Sequence, residues 1–198
     1  MPRKDRFETV CDESVHHITQ RGINRSRIFR MDEDYLKLKG FIKRYLGYFK
    51  VKIYNYCIMP NHIHILLYAE EAIHLSKFMQ AVSLSYGSYY RKKYKYTGYL
   101  WQGRFKNAHI DKDSYLLECA RYIERNPLRA KNKMVEDLSE FLWSSYNFYA
   151  NGHADDIITM NPLYAGLGQT AKERQTKYKE YILVMRPYEE VLDDVFQI

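Results

Sequence analysis

Cysteine is scarce and scattered. Cys11, Cys57 and Cys119 are the only three in 198 residues, and none forms a CxxC pair. That argues against a disulfide framework and against a cysteine-built zinc site, and it fits a reducing compartment. Long apolar runs are missing too: no window approaches the ~20 residues of a membrane-spanning helix. The opening stretch "MPRKDRFETVCDE" is charged without the apolar centre of a secretory signal. These absences lead us to expect a soluble cytoplasmic protein without a membrane partner. There is no low-complexity segment, no internal repeat and no P-loop, so nucleotide-driven chemistry has no sequence support.

Basic and aromatic residues are abundant instead. Lys plus Arg outnumber Asp plus Glu by 31 to 24, giving a formal charge of +7, and 20 tyrosines dominate the aromatic content. Positive charge interleaved with rings suits a surface that neutralises phosphates and stacks bases. The densest example is "YYRKKYKYTGYLWQGRFK", which holds Arg91, Lys92, Lys93, Lys95, Trp101, Arg104 and Lys106; "RGINRSR" adds Arg21, Arg25 and Arg27. A charge run can equally be a solvated face. Gln20, at a strand end, lies where it could line a site.

The apolar pattern orders the elements. "SVHHITQR" (14–21) predicts a strand, and Asp32 the cap of a helix with Tyr35, Leu38, Ile42, Tyr45 and Phe49 at helical spacing. Residues 51–59 predict a second strand and "HIHILLYA" a third, separated by the turn at Pro60 and Asn61. A second helix carries Leu75, Phe78, Met79, Val82 and Tyr86 and frays into the basic run, and "GRFKNAHID" is a fourth strand. The order β-α-β-β-α-β predicts an α+β, ferredoxin-like antiparallel sheet with two helices on one face. A third helix, "SYLLECARYIER", is capped by Asp113 and ended by Asn126 and Pro127; it must dock elsewhere on the sheet. We expect a catalytic unit over 1–146 and a helical extension over 147–198 packed on it.

The two histidines of "NHIHILL" set the chemical question. Strand alternation points His62 and His64 to the face away from the helices, with Cα atoms ~6–7 Å apart, near enough to share an ion. Inert surface histidines fit the spacing equally well. A histidine-triad hydrolase is excluded because the third alternating position is Leu66, and a zincin needs its histidines on a helix. In the third helix, Tyr115, Cys119, Tyr122 and Asn126 share a side beside the apolar stripe of Leu116, Ala120 and Ile123. A phenol and an amide one turn apart could supply a nucleophile and an oxygen ligand, or simply pack a ring and end a helix.

Taken together, "HHITQRGINRSRIF", "NHIHILL", "LWQGRFKNAHID" and "RYIERNPLRA" resemble, in that order, segments of the HUH single-tyrosine transposases, most closely the REP-associated tyrosine transposases. The resemblance spans roughly residues 15–146. It implies that His62, His64 and Asn126 hold a divalent ion, Mg²⁺ or Mn²⁺, although some relatives carry Gln in place of the Asn. Tyr122 then matches the nucleophile of metal-dependent single-strand DNA cleavage and rejoining through a 5′-phosphotyrosine. The implied substrate is hairpin-bearing single-stranded DNA, including repeats of the REP type. The family holds monomers and homodimers; the long C-terminal part favours the REP-associated branch and a tyrosine acting within its own chain. Two other readings stay open: a non-catalytic nucleic-acid-binding module on the same sheet, though the strands lack the RNP1 pattern, and a phosphoesterase using water as nucleophile.

Overall fold

A computed structural model describes residues 11–111 and 113–186. Four strands, β1 (Ser14–Arg21), β2 (Val51–Met59), β3 (His62–Ala69) and β4 (Lys106–Ile110), form one sheet in the order β2-β3-β1-β4, antiparallel throughout. Between them run α1 (Asp32–Leu46) and α2 (Ala72–Tyr94), which completes the expected βαββαβ unit. The fourth strand is shorter than its sequence suggests, because residues 103–105 form a loop instead of pairing.

The period of two on the strands divides the sheet into chemically different faces. Ile18, Ile53, Ile58, Ile63, Ile65 and Leu67 face α1 and α2 and bury themselves against Leu38, Ile42, Leu75, Phe78, Met79 and Val82. Each fully buried side chain of this size contributes about 1.5–3 kcal/mol, so that layer is a major source of stability. A bulge between Ile53 and Asn55 resets the alternation of β2, so that Asn55 and Cys57 join His64 on the opposite face.

That opposite face is not open. Helix α3 (Asp113–Arg129) lies across it, with Leu116, Cys119, Ala120, Tyr122 and Ile123 packed on Cys57, Met59 and Leu66. Tyr115 departs from the expected grouping: it is exposed at the start of the helix, whereas Cys119, Tyr122 and Asn126 are buried. The helix also runs through Pro127 rather than stopping before it. Proline removes the N–H that would bond the carbonyl of Ile123, and the Asn126 side chain replaces it, donating to the carbonyls of Ile123 (3.2 Å) and Tyr122 (2.9 Å).

The basic end of α2 is ordered by one buried carboxylate. Asp34, fully buried, accepts from Tyr94 (2.7 Å), Lys93 (2.8 Å), Tyr89 (2.9 Å) and the backbone N–H groups of Arg30 and Met31. Burial alone would raise its pKa; these bonds outweigh that and hold it at about 2. The same carboxylate caps α1, so the N-cap is Met31 rather than Asp32.

Beyond α3, the described part of the extension folds back onto the face of the sheet that α3 covers. It includes α4 (Tyr146–Asn151) and α5 (Ala171–Leu183), the latter opened by a Thr170–Glu173 capping box. Tyr149 donates to the carbonyl of Tyr54 at 2.7 Å. Arg121 and Arg125 of α3 reach the last carbonyls of α5, Arg121 to Val184 at 2.7 Å and Arg125 to Ile182 and Leu183 at 3.1 and 2.9 Å. Those carbonyls have no partners within their own helix, so the two guanidinium groups cap it. Among the described residues, no helix is long and apolar enough to cross a membrane.

Candidate active site

The turn before β3 builds the outer half of the site. Gly22 donates its N–H to the Asn61 carbonyl of this turn at 2.8 Å, and the loop after it lies so close that a Cβ at Gly22 would meet Ile28 and the Ser26 carbonyl at 2.7 Å. The tight approach lets the backbone N–H groups of Ile28 and Phe29 bond the Pro60 carbonyl (2.9 and 3.0 Å), which ties the loop carrying Arg25 and Arg27 beside His62. Asn61 donates its side-chain N–H to the Arg25 carbonyl at 3.1 Å, so its Oδ1 faces His62 and accepts from Nδ1 at 2.6 Å. A neutral imidazole with hydrogen on Nδ1 has its lone pair on Nε2. That atom of His62 is buried and has no hydrogen-bond partner.

His64 is handled in the same way by a residue of β1. In the strand register His17 stands opposite Leu66, diagonal to His64 on the same face. The two rings stack at 5.2 Å with an 11° tilt, and His17 Nε2 lies 3.0 Å from His64 Nδ1. When His64 donates across this bond, its Nε2, buried and without a partner, likewise presents a lone pair. Burial keeps these imidazoles neutral: it lowers His17 to about 3 and, with help from Arg21, His62 to about 4. Burial and the neighbouring His62, His17 and Arg129 push His64 well below the ordinary value.

Tyr122 sits over this group. Its ring meets His17 and His64 edge-on, with centroids at 5.7 and 5.8 Å, and the Arg129 guanidinium lies 4.9 Å from its centre. One turn on, Asn126 uses its amide nitrogen on the helix carbonyls, and neither bond engages the amide oxygen. The four expected residues, Tyr122, His62, His64 and Asn126, therefore converge on one place.

The donors suit a divalent ion. Two imidazoles with free Nε2 atoms, each oriented through Nδ1 by a neighbouring side chain, match the way metal-binding histidines are held in place. Among the described residues, no group of three His, Cys, Asp or Glu side chains could hold a metal. A third protein ligand here would thus come from outside that set, and the Asn126 amide oxygen is one such donor.

Two openings reach His62. A cleft of about 690 Å³ is lined by His62, Asn126, Arg25, Arg27, Arg129 and Lys131. A smaller pocket of about 140 Å³ on the other side involves Gln20, Arg21, Arg104 and Lys106 as well as His62. Arg91 and Trp101 line a third hollow, and Lys92 and Lys95 are exposed at the end of α2, outside both openings. Lys93 lines neither opening and pairs with Glu33 (2.9 Å) and Asp34 (2.8 Å).

A family model described as IS200-like transposase matches residues 11–126, from just before β1 to the Asn126 of α3. The chain belongs to this family. His17, His62, His64, Tyr122 and Asn126 all fall inside the matched segment of this IS200-like transposase. The chain is also similar to a solved REP-associated tyrosine transposase bound to a REP hairpin, with a TM-score of 0.63 at 18% identity, covering 81% of this chain and 93% of that one. At that identity the likeness is one of fold. No curated protein matches the chain.

Sequence reasoning missed His17, Asn61, Arg129 and Lys131. For His17 a signal existed: of two adjacent histidines on a strand, one must share the face of its neighbour's histidines. Which one depends on register, and only the assembled sheet supplies that. Asn61 read as a turn residue, and the two cations lie in and just beyond the last turn of a helix expected to end sooner.

Proposed function

We propose that this IS200-like transposase nicks and rejoins single-stranded, hairpin-bearing DNA, using Tyr122 as nucleophile and His62, His64 and Asn126 as ligands of a Mg²⁺ or Mn²⁺ ion. The observation that carries this reading is the pair of buried, unpartnered Nε2 atoms on two histidines in ring contact, one of which, His64, meets the Tyr122 ring edge-on. The ion, when bound, supplies charge neutralisation and orientation at the non-bridging oxygens of the scissile phosphate.

The remaining work falls to side chains of this chain. The Tyr122 oxygen forms a bond to phosphorus as the bond to the 3′ oxygen breaks, leaving a 5′-phosphotyrosine and a free 3′-OH. The phenol proton leaves to solvent, and the departing 3′ oxygen gains one. Rejoining reverses the exchange with another 3′-OH and needs no nucleotide triphosphate. Arg25, Arg27, Arg129 and Lys131 hold the phosphates on the cleft side, while Arg21, Arg104 and Lys106 do so on the other.

We further assign residues 1–146 as the catalytic unit and 147–198 as an extension that supports α3. The clamp from Arg121 and Arg125 to α5 favours a tyrosine serving the histidines of its own chain.

The test is cleavage of end-labelled hairpin oligonucleotides with Mn²⁺. We expect His62→Ala to lose cleavage while keeping DNA binding. A variant that still cleaves at the wild-type rate contradicts the ligand assignment, and a wild type that binds DNA but never cuts it favours the binding-module reading.

A further inference from the structure

A further hollow near the site is distinct from both the cleft and the small pocket. It is a groove of about 800 Å³ between α2 and the loop 99–105, and nothing in the reaction above uses it. Its chemistry differs from that of the cleft. Tyr99 is 86% exposed and Leu84 62%, so two large apolar side chains face solvent along it. Trp101, which lines the same groove, is fixed: its indole N–H donates to the Ser83 carbonyl at 3.0 Å, and its ring lies 5.9 Å from that of Tyr86. Lys77, Arg91 and Arg104 surround these groups, and among the described residues no carboxylate lines the groove.

The groove adjoins the site. Gln20 and Arg104 line both the groove and the small pocket, and His62 lines both the small pocket and the cationic cleft. The three hollows therefore lie side by side, from Arg27 past His62 to Leu84. The two outer ones ask for different things. The cleft offers guanidinium and ammonium groups and suits the dense phosphates of a paired stem. The groove offers rings and an aliphatic side chain with a cationic rim, which suits bases whose faces are free. Paired bases bury their faces in their own stack and have nothing to give such a surface.

We propose that this groove receives the unpaired nucleotides on one side of the scissile phosphate, with bases against Tyr99, Trp101 and Leu84 and phosphates on Arg91, Arg104 and Lys77. The assignment rests on reading the chain as a single-strand DNA nickase, and adds where the unpaired flank goes. Because the indole is already held, little ordering cost accompanies its stacking.

The chain has two tryptophans, so Trp143→Phe leaves Trp101 as the only indole reporter. This protein is titrated with a hairpin bearing no flank, about six unpaired thymidines, or six abasic sites. We expect Trp101 quenching with the thymidine flank alone. Tyr99→Ala should weaken binding of the thymidine-flanked hairpin about fivefold or more, given 1–3 kcal/mol per stacked base, and leave the bare hairpin unchanged. Equal quenching by the abasic flank overturns the stacking assignment. So does a wild type that binds and cuts the flanked hairpin while Trp101 stays unquenched and Tyr99→Ala has no effect. A wild type that neither binds nor cuts any of these DNAs overturns the nickase reading as well, which tells the two failures apart.

Discussion

His17 Nε2 lies 3.0 Å from His64 Nδ1, and the two rings are stacked beneath Tyr122. This contact sets what His64 can do. A histidine anchored through Nδ1 presents Nε2 at a fixed angle, so His17 acts as a positioning residue for the proposed ion. His17→Ala is expected to weaken Mn²⁺ binding, measured by calorimetry, by about 10–100-fold. His17→Gln, which can still accept from His64, should recover part of the loss. Equal affinities for wild type and His17→Ala would show the contact to be packing alone.

Acid should loosen the metal-free protein. His17 and His62 take up protons near pH 6.5 in the unfolded chain but only at about 3 and 4 when folded. Their depressed values therefore favour the folded state above about 6.5, and that contribution is lost as pH falls toward 4. The urea midpoint should drop across this window. It should drop less in His17→Gln, and a midpoint flat from pH 7 to 4.5 would contradict the burial argument.

Glu124 acts in the opposite direction. It is fully buried and accepts from Asn55 (2.9 Å), Tyr178 (2.9 Å) and Ser145, joining β2, α3 and α5 in one network. Burial raises its pKa to about 7, against the pull of these bonds, so the folded chain keeps a proton that the unfolded chain sheds near 4.5. Stability from this group is complete below 4.5 and declines as pH rises through 7. Glu124→Gln should hold its melting temperature from pH 6 to 8.5 where the wild type declines. Glu124→Ala strands three buried polar partners and should cost about 2–4 kcal/mol at any pH in that range.

The cations divide into two kinds, and salt dependence separates them. Arg25 and Arg27 line the cleft beside His62, whereas Lys93 is spent on Asp34 and Glu33. Removing one phosphate contact to a single strand lowers the slope of log affinity against log salt by about 0.7. Arg25→Ala and Arg27→Ala should each show that change. Lys93→Ala should keep the wild-type slope and instead lower the melting temperature.

These contrasts mark where the sequence was informative. Alternation placed Ile63 and Ile65 toward the helices and His62 and His64 away from them, and the order of elements gave the sheet, because both are local patterns. The ends of α3 were misjudged at Pro127, since the Asn126 side chain stands in for the missing N–H and no propensity encodes that. Lys93 looked like its basic neighbours, and only the docking of α2 on α1 reveals Asp34 beneath it. The clamp of Arg121 and Arg125 on α5 depends on where a helix some fifty residues later comes to rest, which no spacing within α3 foretells.

The central claim is that Tyr122 carries the DNA end. Wild-type protein, Mn²⁺ and a hairpin oligonucleotide labelled on the 3′ side of the cut should give a denaturant-stable adduct, with mass spectrometry placing the phosphate on Tyr122. Tyr122→Phe should give neither adduct nor cleavage. An adduct of undiminished yield in Tyr122→Phe, or wild-type cleavage with no covalent species at any time, would contradict the account.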